Sequence, residues 1–125
     1  MSLPEDTQLV DRISSEIATV HRESYGEAVE SIRTYLLDDL VLCVLDVTLL
    51  PHERTLVANA KSDGVRRTRQ DFQEAIGSTF IATVEHHTGR RVIGFLSDTH
   101  LEPNFSVEIF RLGPATGEEA SVSEP

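Results

Sequence analysis

A chain of 125 residues carrying a formal charge of −10 opposes non-specific attraction to nucleic acid or anionic lipid, because either would need a surplus of Lys and Arg to neutralise phosphates. The length fits one domain with one core, and 39% hydrophobic residues with no Trp can bury a sheet against helices but leave little for a deep preformed pocket. The single cysteine, Cys43, excludes an internal disulfide; lying in an apolar run, it reads as a small buried hydrophobe and fits a reducing cytoplasm.

Pro4, Glu5, Asp6 and Thr7 supply start signals for a first helix. Leu9, Ile13, Ile17 and Val20 then recur on one face, while Asp11, Arg12, Glu16 and Arg22 take the other, and Gly26 is the natural stop. No cationic leader with an apolar core opens the chain. The longest apolar run, Leu40 to Leu50, is broken by Asp46 and Thr48 and is too short to span lipid. Direct membrane insertion is therefore not expected, and any link to a membrane must go through a partner.

From Ala28 the period changes to about two residues and continues to Leu37, with Asp38-Asp39 as a two-residue turn before a second strand from Leu40 to Leu49. That turn places Ile32, Thr34 and Leu36 on one face with Val41, Cys43, Leu45 and Val47, which is the expected core face. The opposite face carries Tyr35, Leu37, Leu40, Leu42 and Val44, with Arg33 and Asp46 near its other end. Such a surface is too apolar to be left in water, so a symmetric partner is expected to cover it, with a returning N-terminal helix as the second choice.

Pro51 opens a short helix through Leu56 and Ala60, and Ser62 or Asp63 caps a longer one. Phe72, Ile76, Phe80 and Val84 repeat along it, and Gly89 ends it with His86 and His87 in the last turn. Arg91 to Ser97 and Phe105 to Leu112 form a second hairpin across a loop from Asp98 to Asn104. The expected class is α+β: helix, β-hairpin, a short plus a long helix, then β-hairpin, with a four-stranded antiparallel sheet packed against helices. Residues 1–112 form the single domain and 113–125, rich in Pro, Gly, Glu and Ser, a disordered acidic tail.

Catalytic signatures are missing: no Gly-x-Ser-x-Gly elbow, no Walker loop, and glycines scattered rather than grouped around a phosphate. His52, His86, His87 and His100 with Glu53, Asp98 and Glu102 are the candidate metal ligands, but their spacings match no zinc motif. His86 and His87 also point about 100° apart on a helix, so no metal site or cofactor is expected. Lys61, Arg66, Arg67 and Arg69 gather positive charge where a helix opens, which suits an anion or an acidic partner; the ordinary alternative is ion pairing with Asp71, Glu74 or the tail.

Tyr25-Gly26 before a strand, the strand–turn–strand from Ser31 to Leu49 and Leu50-Pro51-His52-Glu53 with Leu56 form the first half of an ordered pattern. Arg69-x-x-Phe72, Val84-Glu85-x-x-Thr88-Gly89 and Ser97-Asp98 complete it. The pattern resembles the small bacterial YbcI-like family, also named for the MpsC component of a Na+-translocating, membrane-potential-generating system. Pro51-His52-Glu53 stands where that family usually has a Thr-Pro-x-Glu-like phrase.

The resemblance implies association with an ion-translocating membrane assembly, and it picks out Glu53, Arg69, Phe72, Gly89 and Asp98. Each of these has a structural reading: Glu53 at a helix N-terminus, Arg69 paired with a carboxylate across the helix layer, Phe72 in the core, Gly89 as a C-cap and Asp98 ending a strand. The functional reading gathers Glu53, Arg69 and Asp98 around one polar site.

The expectation is a non-enzymatic cytoplasmic accessory or regulatory protein, a homodimer acting through protein contacts beside a membrane ion-translocating system. Its interface comprises Arg33, Tyr35, Leu37, Leu40, Leu42, Val44 and Asp46. The alternative is a small-molecule or anion-binding module using Glu53, Arg66, Arg67, Arg69, Asp98 and His100. A metal-dependent hydrolase built on His52, His86, His100 and Asp98 comes third.

Overall fold

The computed structural model describes residues 4–26 and 29–114. Within them the order is α1 (Pro4–Tyr25), β1 (Val29–Leu37), β2 (Leu40–Val47), α2 (Pro51–Ala58), α3 (Ser62–Thr88), β3 (Val92–His100) and β4 (Phe105–Leu112). This is the α+β arrangement of helix, hairpin, two helices and hairpin. Ala28 and the acidic tail from residue 115 onward lie outside the described residues.

The sheet is antiparallel in the order β1-β2-β4-β3, so each hairpin puts its second strand in the middle and its first at an edge. Each half of the chain is thus a helix followed by a hairpin. α1 packs on β1, α3 packs on β3, and the two helices pack on each other. The apolar stripe of α1 meets the sheet through Ile13 and Ile17, which join Val41, Cys43, Leu45, Val47, Phe80, Val84, Phe110 and Leu112 in one core. Both helices therefore lie on the same face, called here the inner face.

Local chemistry sets the boundaries. Gly26 (φ 114) ends α1, its N–H donating to the Arg22 carbonyl at 2.9 Å, and Gly89 (φ 68) ends α3 the same way on Glu85. Asp38, at φ 53, turns the first hairpin, and the expected pairing holds from Leu37↔Leu40 to Ser31↔Asp46 before a bulge shifts it by one at Val29.

Four boundaries differ from the sequence reading. β2 stops at Val47, because the Thr48 carbonyl is taken by the Arg69 guanidinium at 3.0 Å. α2 stops at Ala58, with the chain reversing through Ala60 (φ 62), and the cap position of α3 is Lys61. β3 runs through Asp98 to His100, since Ser97 and Thr99 face inward and pair with Glu108 and Ser106; the connection shrinks to Leu101–Asn104.

Candidate functional site

Two parts of the molecule carry unusual chemistry: a buried polar cluster under the helices and the outer face of the sheet. The cluster is anchored by Glu53 and Arg69, which are only 2% and 4% exposed. Pro51 opens α2, and Glu53 in its first turn reaches back to accept the Leu50 N–H on Oε1 at 2.8 Å. Arg69, from the second turn of α3, grips the same carboxylate in bidentate fashion, with Nη2 on Oε1 at 2.9 Å and Nε on Oε2 at 3.1 Å. Its remaining N–H groups donate to Asn104 Oδ1 (2.7 Å) and the Thr48 carbonyl, while the Tyr25 hydroxyl donates to Glu53 Oε2.

Burial alone would raise the Glu53 carboxyl, but hydrogen bonds from Arg69, Tyr25 and Leu50 outweigh it and hold it below its ordinary value. Burial, with Glu53 as acceptor, pushes the Tyr25 phenol up to about 12. These donors and acceptors satisfy one another, so the cluster works as a clasp joining the end of α1, α2, α3 and the β3–β4 turn. Its members are spent on each other rather than aimed at a substrate.

Deeper in, Glu108 faces inward from the central strand β4 with no solvent exposure and accepts the Gln73 amide on Oε2 at 2.9 Å. Burial pushes its carboxyl up to about 8, so it holds its proton at neutral pH. His21 of α1, 5% exposed and edge-on to Phe72, is held neutral by burial, with Arg69 adding to the effect, which lowers it to about 4. His21, Tyr25, Arg69, Phe72, Gln73 and Ser106 enclose a cavity of about 10 Å³, the space of one water molecule.

His21, Gln73 and Glu108 did not stand out in the sequence. The signal was the alternation of Phe105–Leu112, which puts Ser106 and Glu108 on one face and Phe105, Val107 and Ile109 on the other. Read in isolation, that strand would be turned the wrong way round.

The sequence-derived ligand residues fall into separate places. Glu53 and Arg69 meet in the clasp. Arg66 is exposed, 4.0 Å from Asp63, and lines an open groove of about 250 Å³ with Ser62, His100, Leu101 and Glu102. Arg67 is exposed beside Arg66, Gln70 and Asp71. Asp98 neighbours His100 on the outer side of β3, opposite to the side on which Arg69 is buried.

His52 is exposed on α2, and His87 at the end of α3 bonds Glu16 at 2.8 Å. Among the described residues, no group of three or more His, Cys, Asp or Glu side chains converges as a metal would require. Cys43 is buried, and burial pushes its thiol up to about 12, far from a reactive thiolate.

The outer face follows from the strand registers. Tyr35, Leu42, Ile109 and Leu96 form one row across all four strands, and Arg33, Val44, Val107 and Asp98 form the next. Leu37, Leu40, Arg111 and Gly94 flank them on one side, and Ser31, Asp46, Phe105 and His100 on the other. α1 and α3 both pack on the inner face, so neither covers this one.

Tyr35 is 41% exposed, Leu37 52% and Leu96 68%, while the residues on the central strands are half-buried by their neighbours. Arg33 Nη2 lies 3.7 Å from Asp46 Oδ2, an exposed pair of little energetic weight. The surface is an apolar band about two rows deep with charge at its rim, which is how a protein-binding surface is built.

The family model described as "Na+-translocating membrane potential-generating system (MpsC)" matches residues 5–113. No curated protein and no solved structure matches the chain. Among the described residues no helix is long and apolar enough to cross a membrane.

Proposed function

Because this chain belongs to the MpsC family, we propose that it is a non-enzymatic, cytoplasmic accessory or regulatory protein, working through protein contacts alongside a membrane ion-translocating assembly. The family description names such a system, and the lack of a long apolar helix among the described residues favours a link made by docking. The observation that carries this reading is the outer face, where Leu42, Ile109 and Leu96 stand in one row with none of the described helices above them. The contact made by that face is with a second copy, and it is the resulting homodimer that docks on the membrane assembly, so that a change which splits the pair also loses the docking.

Crosslinking in native membranes, followed by mass spectrometry, tests the docking. The wild-type chain should capture a subunit of an ion-translocating complex, and Leu42→Glu, which puts a charge in the apolar row, should lose it. Equal capture by both proteins removes the reading.

A second reading is favoured by one observation, the groove that Arg66 and His100 share with Ser62 where α3 begins. There the protein would hold a small anion such as a phosphate or carboxylate, and a thermal-shift series should show stabilisation by millimolar anion that Arg66→Ala abolishes. No shift with any of them eliminates it.

A further inference from the structure

We infer that the occupant of the outer face is a second copy of this chain, laid face to face about a twofold axis parallel to the strands, with Arg33 of each protomer over the partner's Asp98 at both edges. This rests on the reading that the outer face is the working contact between two copies, and it adds their orientation and the charge pair that fixes it.

Arg33 is on edge strand β1 and Asp98 on edge strand β3, and the registers place both in one row, separated by Val44 and Val107. A half-turn about an axis running along the β2–β4 seam keeps every row over itself and exchanges the edges. β1 then lies over the partner's β3, and β2 over the partner's β4.

In that arrangement Arg33 meets the partner's Asp98 twice, once at each rim. Leu42 meets the partner's Ile109, and Tyr35 the partner's Leu96. In the two middle rows apolar side chains cover apolar side chains and opposite charges close the two sides, while in the outer rows Asp46 meets the partner's Phe105 and Arg111 the partner's Leu40.

The competing face-to-face arrangement turns about an axis across the strands. It stacks β3 on the partner's β3, which presses Leu96 onto the partner's Asp98; Asp46 meets an apolar residue in both arrangements, the partner's Leu40 here and the partner's Phe105 in the first, and does not choose between them. The Asp98 carboxylate would lose water without gaining a cation, which is costly. The rim charges therefore select the first arrangement.

The size is also suitable. Four strands spaced about 4.8 Å apart and about 26 Å long give a footprint on the order of 500 Å² before side-chain relief, comparable with the roughly 800 Å² that each partner contributes to a standard interface. Stacked sheets lie about 10 Å apart with strands aligned to within about 30°, a gap and offset that a long Arg side chain at the rim can bridge to a short Asp.

Light scattering on size-exclusion fractions tests this with five proteins: wild type, Leu42→Glu, Arg33→Asp, Asp98→Arg and the double reversal. Unchanged circular dichroism confirms that each is folded. The wild type should run at twice the chain mass, and Leu42→Glu at the chain mass. Each single reversal sets like charges together twice per dimer and should raise the dissociation constant at least about tenfold, whereas the double reversal should recover to within about threefold of wild type.

A wild-type monomer, a dimer indifferent to Leu42→Glu, or a double reversal no better than the singles would overturn the proposal. So would a monomer that dimerises only after removal of residues 115–125, which would assign the face to the tail. A monomer whose Leu42→Glu variant still loses the membrane subunit overturns the second copy but leaves the docking reading standing; equal capture in membranes removes the docking reading whatever the mass.

Discussion

On β4 the side under the helices carries Ser106 and Glu108 beside Phe110 and Leu112, whereas the opposite side carries Phe105, Val107 and Ile109 before Arg111, so the first half of the strand buries its polar residues and offers its apolar ones. β2 does neither: Val41, Cys43 and Leu45 face in, and Leu40, Leu42 and Val44 face out, giving it two apolar sides. The contrast teaches that hydropathy alone does not say which side of this sheet is the interior. Helices decide that, and the polar residues beneath them persist because they find partners in Gln73 and in Thr99. An apolar outer side on both central strands is the pattern of a sheet with a layer on each face, of which the described helices supply one.

If the interior depends on its polar groups, removing one of them should have the largest effect. Arg69→Ala leaves the Glu53 carboxylate buried and unpaired, and should cost about 3–5 kcal/mol in urea unfolding at pH 7. A loss below about 1 kcal/mol would mean that the clasp contributes nothing special.

Next comes pH. With Glu108 raised from 4.5 to about 8, the native state keeps a proton that the unfolded chain has released, so its contribution to stability is full below pH 4.5 and declines as pH rises through 8. His21, lowered from 6.5 to about 4, acts in the opposite sense, with stability rising from pH 4 to 6.5. The Glu108 slope is therefore exposed between pH 6.5 and 8. Glu108→Gln should flatten it and leave the variant more stable than the parent at pH 9, by an amount on the order of a few kcal/mol; parallel stability curves for the two proteins would refute the buried acid.

A smaller effect separates two neighbours on one strand. Val41, fully buried on the inner side, should cost about 2 kcal/mol when cut to Ala, whereas Leu42→Ser on the outer side should stay within about 0.5 kcal/mol at concentrations too low for association. Equal costs would show that the outer side is covered within the protomer after all.

The finest probe concerns how closely α3 presses on the sheet. A Cβ on Gly77 would lie 2.9 Å from Phe95, but one on Gly64 would meet nothing within 4 Å. Gly64→Ala should gain roughly 0.5–1 kcal/mol from helix propensity, and Gly77→Ala should lose stability despite the same intrinsic gain. Thermal melts of the pair give the two signs directly.

The first hairpin was legible in the sequence down to its register, because Asp38-Asp39 fixes the turn and strict alternation sorts the sides. Phe80 and Val84 were likewise readable as the core stripe of α3. The same stripe also buries Arg69, Gln73 and Thr83, which no hydropathy rule assigns inward, while Phe72 stays half-buried beside His21 and Tyr25. Glu53 at a helix start and Arg69 with a carboxylate were each foreseeable. That they choose each other was not, since a contact between residues so far apart along the chain depends on tertiary packing. Asp98 reads as a strand end by type, yet the inward partners of Ser97 and Thr99 carry the strand past it.

The strand order has one more consequence. With β2 and β4 antiparallel at the centre, each paired outward to the first strand of its own hairpin and preceded by its own helix, a half-turn about the sheet normal carries one half of the chain towards the place of the other. A molecule with such an internal echo presents two docking orientations that look almost alike to a partner of the same kind. Discrimination then falls on the positions where the echo fails: Arg33 against Leu96, Asp98 against Tyr35 and, most sharply, Asp46 against Arg111. Neutralise all four charges, and the prediction is two coexisting pairings rather than none.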